Sequence, residues 1–327
     1  MSTLYRTDGT MIDSSNKLPL EKLANKNKDK LFGANLSYKI LRFANLQKAN
    51  LKKANLQKAN LSFTNLSFAD LREANLQKAN LSCANLSYAN LSFADLRKAN
   101  LQGVDLQRAD FRKANLRKAD VKEANLNYAN LRGADLREAN LRGADLREAD
   151  LREANLSFAD LRFADLREAN LSFADLSFAN LSFANLSFTD LQKADLQKAD
   201  LQKADLRKVN LQKADLREVD FRWSIIDDAD LRNAKYDYET VMLQVDWGEL
   251  SDKLTLELMR QDAQLIGEDM ITAWANGGEC PYEVLYRDRD FKFNVKKHLW
   301  KPGKPKYGKD QMRELFEALC KEKGVKI

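Results

Sequence analysis

The sequence predicts an all-β solenoid closed by a small α-helical unit at its C-terminal end. Three observations carry that prediction. From Leu31 to Leu231 every fifth residue is apolar, an unbroken series of 41 positions filled almost entirely by Leu. The residue two before each is usually Ala, and between them stands Asn or Asp in nearly every unit from Asn45 to Asp230. The series then stops, and apolar residues at helical spacing replace it.

A period of five suits neither standard element. A helix repeats at 3.6 residues and would smear the leucines around its circumference. A strand repeats at two, so an odd period destroys its alternation after one unit. The backbone must therefore turn within each unit. Asn and Asp supply such turns because their short side chains bond nearby backbone groups. A small Ala beside a large Leu suits an interior where chain segments pack closely. Coils that stack through backbone hydrogen bonds meet all of these demands.

The run ANLQKANLKKANLQKANL (44–61) resembles the pentapeptide repeat proteins, and the resemblance extends over residues 31–240. It implies a right-handed quadrilateral β-helix of about ten coils, with four units in each twenty-residue coil. Leu and the preceding Ala then point inward and the other three positions outward. A rod of roughly 50 Å follows from the usual spacing between strands. Each buried Leu is expected to stabilise by roughly 1.5–3 kcal/mol.

Both ends of such a rod would expose unpaired backbone and invite fibre growth, so caps are required. Residues 1–30 lack the repeat and read as an N-terminal cap with a short helical turn, preceded by about a dozen mobile residues. Residues 241–327 read as an α-rich capping domain. Within it, Ser251 is the expected N-cap of one helix that runs to Asn276 and stops at Gly277-Gly278. A loop-like segment follows. A last helix is expected from Lys309 to Lys323, with Met312, Leu315, Phe316, Leu319 and Cys320 as its apolar stripe and Gly324 as its C-cap. The segment WANGGECPYEVLY and the closing LCKEKGVKI also resemble tails of some pentapeptide repeat proteins.

Composition narrows the function. No apolar run approaches 18 residues, and the first residues show no apolar leader core. The three cysteines, Cys83, Cys280 and Cys320, suggest no disulfide framework and point to a reducing cytoplasm. Cys280, His298 and Cys320 match no usual zinc spacing, and His298 is the sole histidine. The many Asp residues are explained as turn formers, and no phosphate loop or nucleophile motif is present. An enzyme, a cofactor and a metal are therefore not expected.

The outer positions carry the functional signal. Arg and Glu dominate the middle of the rod, and Lys193, Lys198, Lys203, Lys208 and Lys213 form a ring farther on. The charges read as solvated, mutually paired ladders. Between these zones, Phe158, Phe163, Phe173, Phe178, Phe183 and Phe188 share the outward phase of the lysines. Four of them would encircle one coil, and Phe158 and Phe163 would stack on Phe178 and Phe183. This belt is the candidate interaction surface, since contiguous exposed apolar patches often mark one; the other reading is an aromatic ladder whose stacked rings shield backbone and one another. A noncatalytic scaffold with a protein partner is the expected function. Neither nucleic acid nor membrane is the expected partner, and the sequence leaves monomer and dimer open.

The alternative comes from the resemblance alone. Some pentapeptide repeat proteins mimic duplex DNA and modulate type II topoisomerases. Such mimicry needs an acidic rod, whereas residues 31–240 carry 33 basic and 29 acidic residues, a net +4. Family members that protect gyrase also tend to carry projecting loops, and no unit here is interrupted.

Overall fold

A computed structural model of the chain describes residues 2–15, 19–237, 245–276, 296–303, 305–306 and 312–327. The repeat tract coils as its period demands. Parallel bridges join each Asn/Asp position to the one twenty residues on, from Asn35↔Asn55 to Asp215↔Lys235 without interruption. Four such positions fall in each coil, one per pentapeptide.

A unit that carries Asn or Asp satisfies its own backbone donors, as the unit from Asp145 to Ala149 shows. The Leu146 N–H donates to Asp165 O in the next coil at 2.7 Å, and Glu148 N–H donates to Arg167 O at 3.0 Å. The Ala149 N–H closes the turn on Leu146 O at 3.1 Å, and Asp145 N–H donates to Ala124 O in the preceding coil at 3.0 Å. The Arg147 N–H remains, and it donates to Asp145 Oδ1 at 3.2 Å. Every donor of the unit has its acceptor. The Asn or Asp is thus the fifth acceptor of the unit, which is why the sequence repeats it.

The turn has a second demand. The residue two after Leu adopts positive φ throughout, 56° at Glu148 and 61° at Phe183 for example. A left-handed residue at the third position of a turn favours Gly. Gly33, Gly103, Gly133 and Gly143 all occupy that position, at φ of 62–66°. Elsewhere Lys, Glu and Phe adopt the same conformation, an intrinsic cost that stacking against neighbouring coils offsets.

Inside, Leu36 through Leu106 are fully buried, and Phe111 and Val121 replace Leu without exposure. Thr64 and Thr189 stand in Ala positions; their hydroxyls donate to Leu41 O and Leu166 O at 2.9 and 2.7 Å. Polar substitutes enter the core only with a partner.

At the N-terminal end, β1 (Ser2–Arg6) and β2 (Met11–Ser15) form an antiparallel hairpin. The expectation of a mobile start omitted these strands. β1 also pairs antiparallel with β3 (Ala34–Asn35), so the hairpin extends the first coil as a three-stranded sheet, β2-β1-β3. The expected helical turn is α1 (Leu20–Lys26), whose Leu23 and Ala24 are buried beside Leu4.

At the other end the single helix expected from Ser251 to Asn276 is two, α2 (Asp252–Ile266) and α3 (Glu268–Ala275). Gly267 divides them at φ 99° and ends α2 with its N–H on Ala263 O. Leu254, Leu258, Met259, Ala263, Ile271 and Trp274 are buried, but Met270 is 55% exposed. Ser251 stands at the N-cap position without capping; its hydroxyl donates to Glu322 Oε2 at 2.8 Å instead. α4 (Met312–Glu322) buries Leu315, Phe316, Leu319 and Cys320 as its pattern requires. Gly324 ends it at φ 69°, and the Val325 N–H returns to Cys320 O at 2.9 Å, a Schellman closure. The expected Gly277-Gly278 stop and the loop that follows lie outside the described residues.

The chain's last residues then seal the rod. Lys326 bridges Asp230 in parallel, with Leu231 N–H on Lys326 O at 2.6 Å and Lys326 N–H on Ala229 O at 2.7 Å. Phe316 packs against the rings of Tyr236 and Trp247, at 5.4 and 6.0 Å between centroids.

Candidate interaction surface

The coil places the belt residues where their phase requires. Phe173, Phe178, Phe183 and Phe188 fall one on each side of a coil and are 47–56% exposed. Phe158 stacks on Phe178 at 4.7 Å with planes 6° apart, and Phe163 on Phe183 at 4.9 Å and 17°. The pairs are layer neighbours, so their separation is the strand spacing. All six keep about half of their surface in solvent.

The Ser before five of the six aromatics explains part of that geometry; Phe163 follows Arg162. Ser172, Ser182 and Ser187 are nearly buried and donate to the Asn Oδ1 of their own unit at 2.7–2.8 Å. The short side chain lies against the backbone and leaves the following ring standing free.

The lysine ring is coupled to the belt. Lys193, Lys198, Lys203 and Lys208 lie over Phe173, Phe178, Phe183 and Phe188 respectively, with Nζ 4.6–5.4 Å from the centroids. These are cation–π contacts between successive coils. The belt therefore has a basic roof on its C-terminal side.

Charge pairing follows the choice between Asn and Asp. Where Arg follows Asp by two, it folds back on that carboxylate in a two-pronged contact. Arg147, for instance, holds Asp145 at 2.8 and 2.6 Å. Such contacts keep the carboxyls of Asp135, Asp145 and Asp160 below the usual range, the facing guanidinium being the chief cause. Where Arg follows Asn, it reaches the next coil instead: Arg117 bonds Glu138 and Arg132 bonds Glu153, at 2.9 and 2.8 Å. The expected paired ladders are present in both forms.

A second aromatic zone was missed in the sequence. Tyr38, Phe43, Phe63, Phe68, Tyr88 and Phe93 are 44–69% exposed, and Phe43–Phe63 and Phe68–Tyr88 stack at 5.3 and 4.8 Å. The signal was available, because these residues share the phase of the later belt.

Among the described residues weighed for chemistry, no site assembles. His298 is exposed, while Cys320 is buried in α4, where burial pushes its thiol up to about 12. Cys280 lies outside the described residues, and among those described no cluster could hold a metal ion. Cys83 is a free, exposed thiol. A cavity of about 520 Å³ lies beside the last coil, lined by residues that include Tyr236, Arg313 and Ile327, but Arg313 is bonded to Glu317 at 2.7 Å. No described helix is long and apolar enough to cross a membrane.

The profile of the pentapeptide repeats matches the chain in eight copies between residues 30 and 212. The chain belongs to the pentapeptide repeat family. Membership implies a right-handed quadrilateral β-helix, with which the twenty-residue bridges agree. The crystal structure of HetL is similar at 36% identity and a TM-score of 0.56, covering 61% of this chain and 87% of HetL. HetL is a pentapeptide repeat protein involved in heterocyst differentiation regulation in the cyanobacterium Nostoc. QnrB1, a plasmid-mediated fluoroquinolone resistance protein, aligns at 21% identity over 53% of this chain and 90% of its own, with a TM-score of 0.38. A pentapeptide repeat protein of the Arabidopsis thaliana thylakoid lumen aligns at 32% identity over 31% of this chain and 63% of its own, with a TM-score of 0.19. No curated protein matches the chain.

Proposed function

We propose that the chain is a noncatalytic scaffold whose outer faces, and the Phe belt above all, bind another protein. The observation that carries this reading is the half-exposed state of six phenylalanines gathered in two neighbouring coils of the rod. Rings that only shielded backbone would be covered by their neighbours, whereas these retain an apolar patch edged by charge. Likeness to HetL, involved in the regulation of differentiation, supports a regulatory role over a metabolic one. The exposed free thiol of Cys83 suits the reducing cytoplasm. The net positive rod argues against a DNA mimic.

Affinity capture by the wild type and by Phe173→Ser/Phe188→Ser, with quantitative mass spectrometry, tests the proposal. A defined protein enriched by the wild type and lost from the variant is expected. Equal retention by both would overturn the belt as the contact.

A further inference from the structure

We propose that the side of the rod bearing Phe158 and Phe178 binds a second copy of this chain, antiparallel. This rests on the reading of the belt as a protein contact and names the partner for one of its four sides.

The argument is the order of residues along that side. Outward positions twenty apart stack, so one column runs Lys118, Glu138, Phe158, Phe178, Lys198, Glu218. A two-fold axis lying in the contact plane, perpendicular to the rod and level with the gap between the two rings, reverses this column and lays it on itself. Phe158 then meets Phe178 of the partner subunit. Glu138 meets the partner's Lys198, and Lys118 meets the partner's Glu218. The column is self-complementary in two successive layers on each side of its aromatic centre. An isologous interface demands that property.

The groups are placed to be used. Phe158 and Phe178 are 59% and 47% exposed and stacked on one another as a contiguous apolar patch. The charged groups are held ready within the chain. Lys118 and Glu138 are 3.0 Å apart, and Lys198 and Glu218 are 3.6 Å apart. Reversal sets one pair against the other in alternating sign. The adjoining column contributes Ser157 against the partner's Ser177 and Arg137 against the partner's Gln197. Arg117 meets the partner's Arg217, but these are already held by Glu138 and Asp215.

Orientation follows from the same charges. A parallel copy would set Lys198 against Lys198 and Glu138 against Glu138, and like charges across an interface discriminate against that arrangement. The other three columns lack the second layer. Around Phe188, Glu168 would face the partner's Lys208, but Glu148 would face the partner's Asp228. Around Phe173, Glu153 would face the partner's Lys193, and Gly133 the partner's Lys213. The aromatic pair supplies area, and the charges fix direction and register.

Sedimentation equilibrium of the full chain tests this, with Glu138→Lys and Lys198→Glu measured singly and mixed in equal amounts. Both changes lie on the exposed surface, and circular dichroism confirms the fold of each. A wild-type dimer is expected, with dissociation at least tenfold weaker in each single variant. In the mixed pair Lys at 138 faces Glu at 198 and the natural residues face each other at the second site, so affinity returns to within threefold of the wild type. A wild type that is monomeric at about 100 µM, or a dimer indifferent to the variants, overturns the proposal. Failure here with partner capture still lost from Phe173→Ser/Phe188→Ser would leave the belt a contact for a different protein.

Discussion

The two ends of the rod are closed by different routes. The N-terminal seal is local: β1 pairs with β3, and the hairpin, α1 and the first coil all lie within the first few dozen residues. The C-terminal seal is remote, because the last coil waits for Lys326 to bridge Asp230 and for α4 to bring Phe316 onto Tyr236. One joint is antiparallel and the other parallel, so a coil edge accepts either direction of strand. The first seal can form as soon as its coil exists; the second needs the chain's final residues. In a linear array each layer leans chiefly on its neighbours, so damage at an end is expected to stay near that end.

The largest effect is expected at the remote seal. Phe316→Ala empties a fully buried site and should cost about 3–5 kcal/mol. Hydrogen exchange should rise at Leu231 and Leu216 while Leu131 stays protected. Equal loss at all three would show that the rod unfolds as one unit and would break the comparison. Leu4→Ala, at 1% exposure, should cost about 2–3 kcal/mol in urea unfolding, with new exchange confined to the first coils.

Two glycines of like conformation sharpen the contrast. At Gly324 a Cβ would collide with Asp228 Oδ1, whereas at Gly133 the nearest atom is Lys113 Cγ at 3.6 Å. Gly324→Ala should therefore cost about 1–2 kcal/mol and Gly133→Ala less than about 1 kcal/mol, read as shifts of the unfolding midpoint.

Acid should divide the rod along its length. The carboxyls of Asp135, Asp145 and Asp160 are depressed in the folded state by their arginines. Their contribution is complete above the unfolded value, near 3.9, and is lost as pH falls through that value toward the folded one. Coils that contain them should lose exchange protection below about pH 4. The stretch from Asn45 to Asn65, whose turns use Asn alone, should be insensitive. The smallest effect is expected for Arg72→Ala, an exposed pair with Asp70, at less than about 0.5 kcal/mol.

Much of the repeat tract was legible because its period is a direct image of its geometry. Leu151 and Phe173 differ in phase, and phase alone sends one inward and the other outward. The ends were less legible, for reasons of physics. β1 carries little strand signal in STLYR, and it pairs because the first coil offers it an edge that no local pattern announces. Gly267 reads as a tolerated helical residue until its φ is known. The left-handed position was hidden by the Lys, Glu and Phe that fill it, although four glycines at the same phase marked it. The outward phase of the six phenylalanines was legible from the period; the basic roof was not, because it depends on how closely the lysines approach the rings.

The turn asks one thing of Asn or Asp, a single oxygen to receive an N–H. At Asn155 and at Asp145 that oxygen receives it at 3.0 and 3.2 Å, so the backbone does not distinguish the amide from the acid. Each coil thus has four sites where a unit of charge can be written or erased while its backbone hydrogen bonds stay as they were. Such a rod is a ruled page: the lines are fixed by the period, and the electrostatic text upon them is free to be revised one letter at a time.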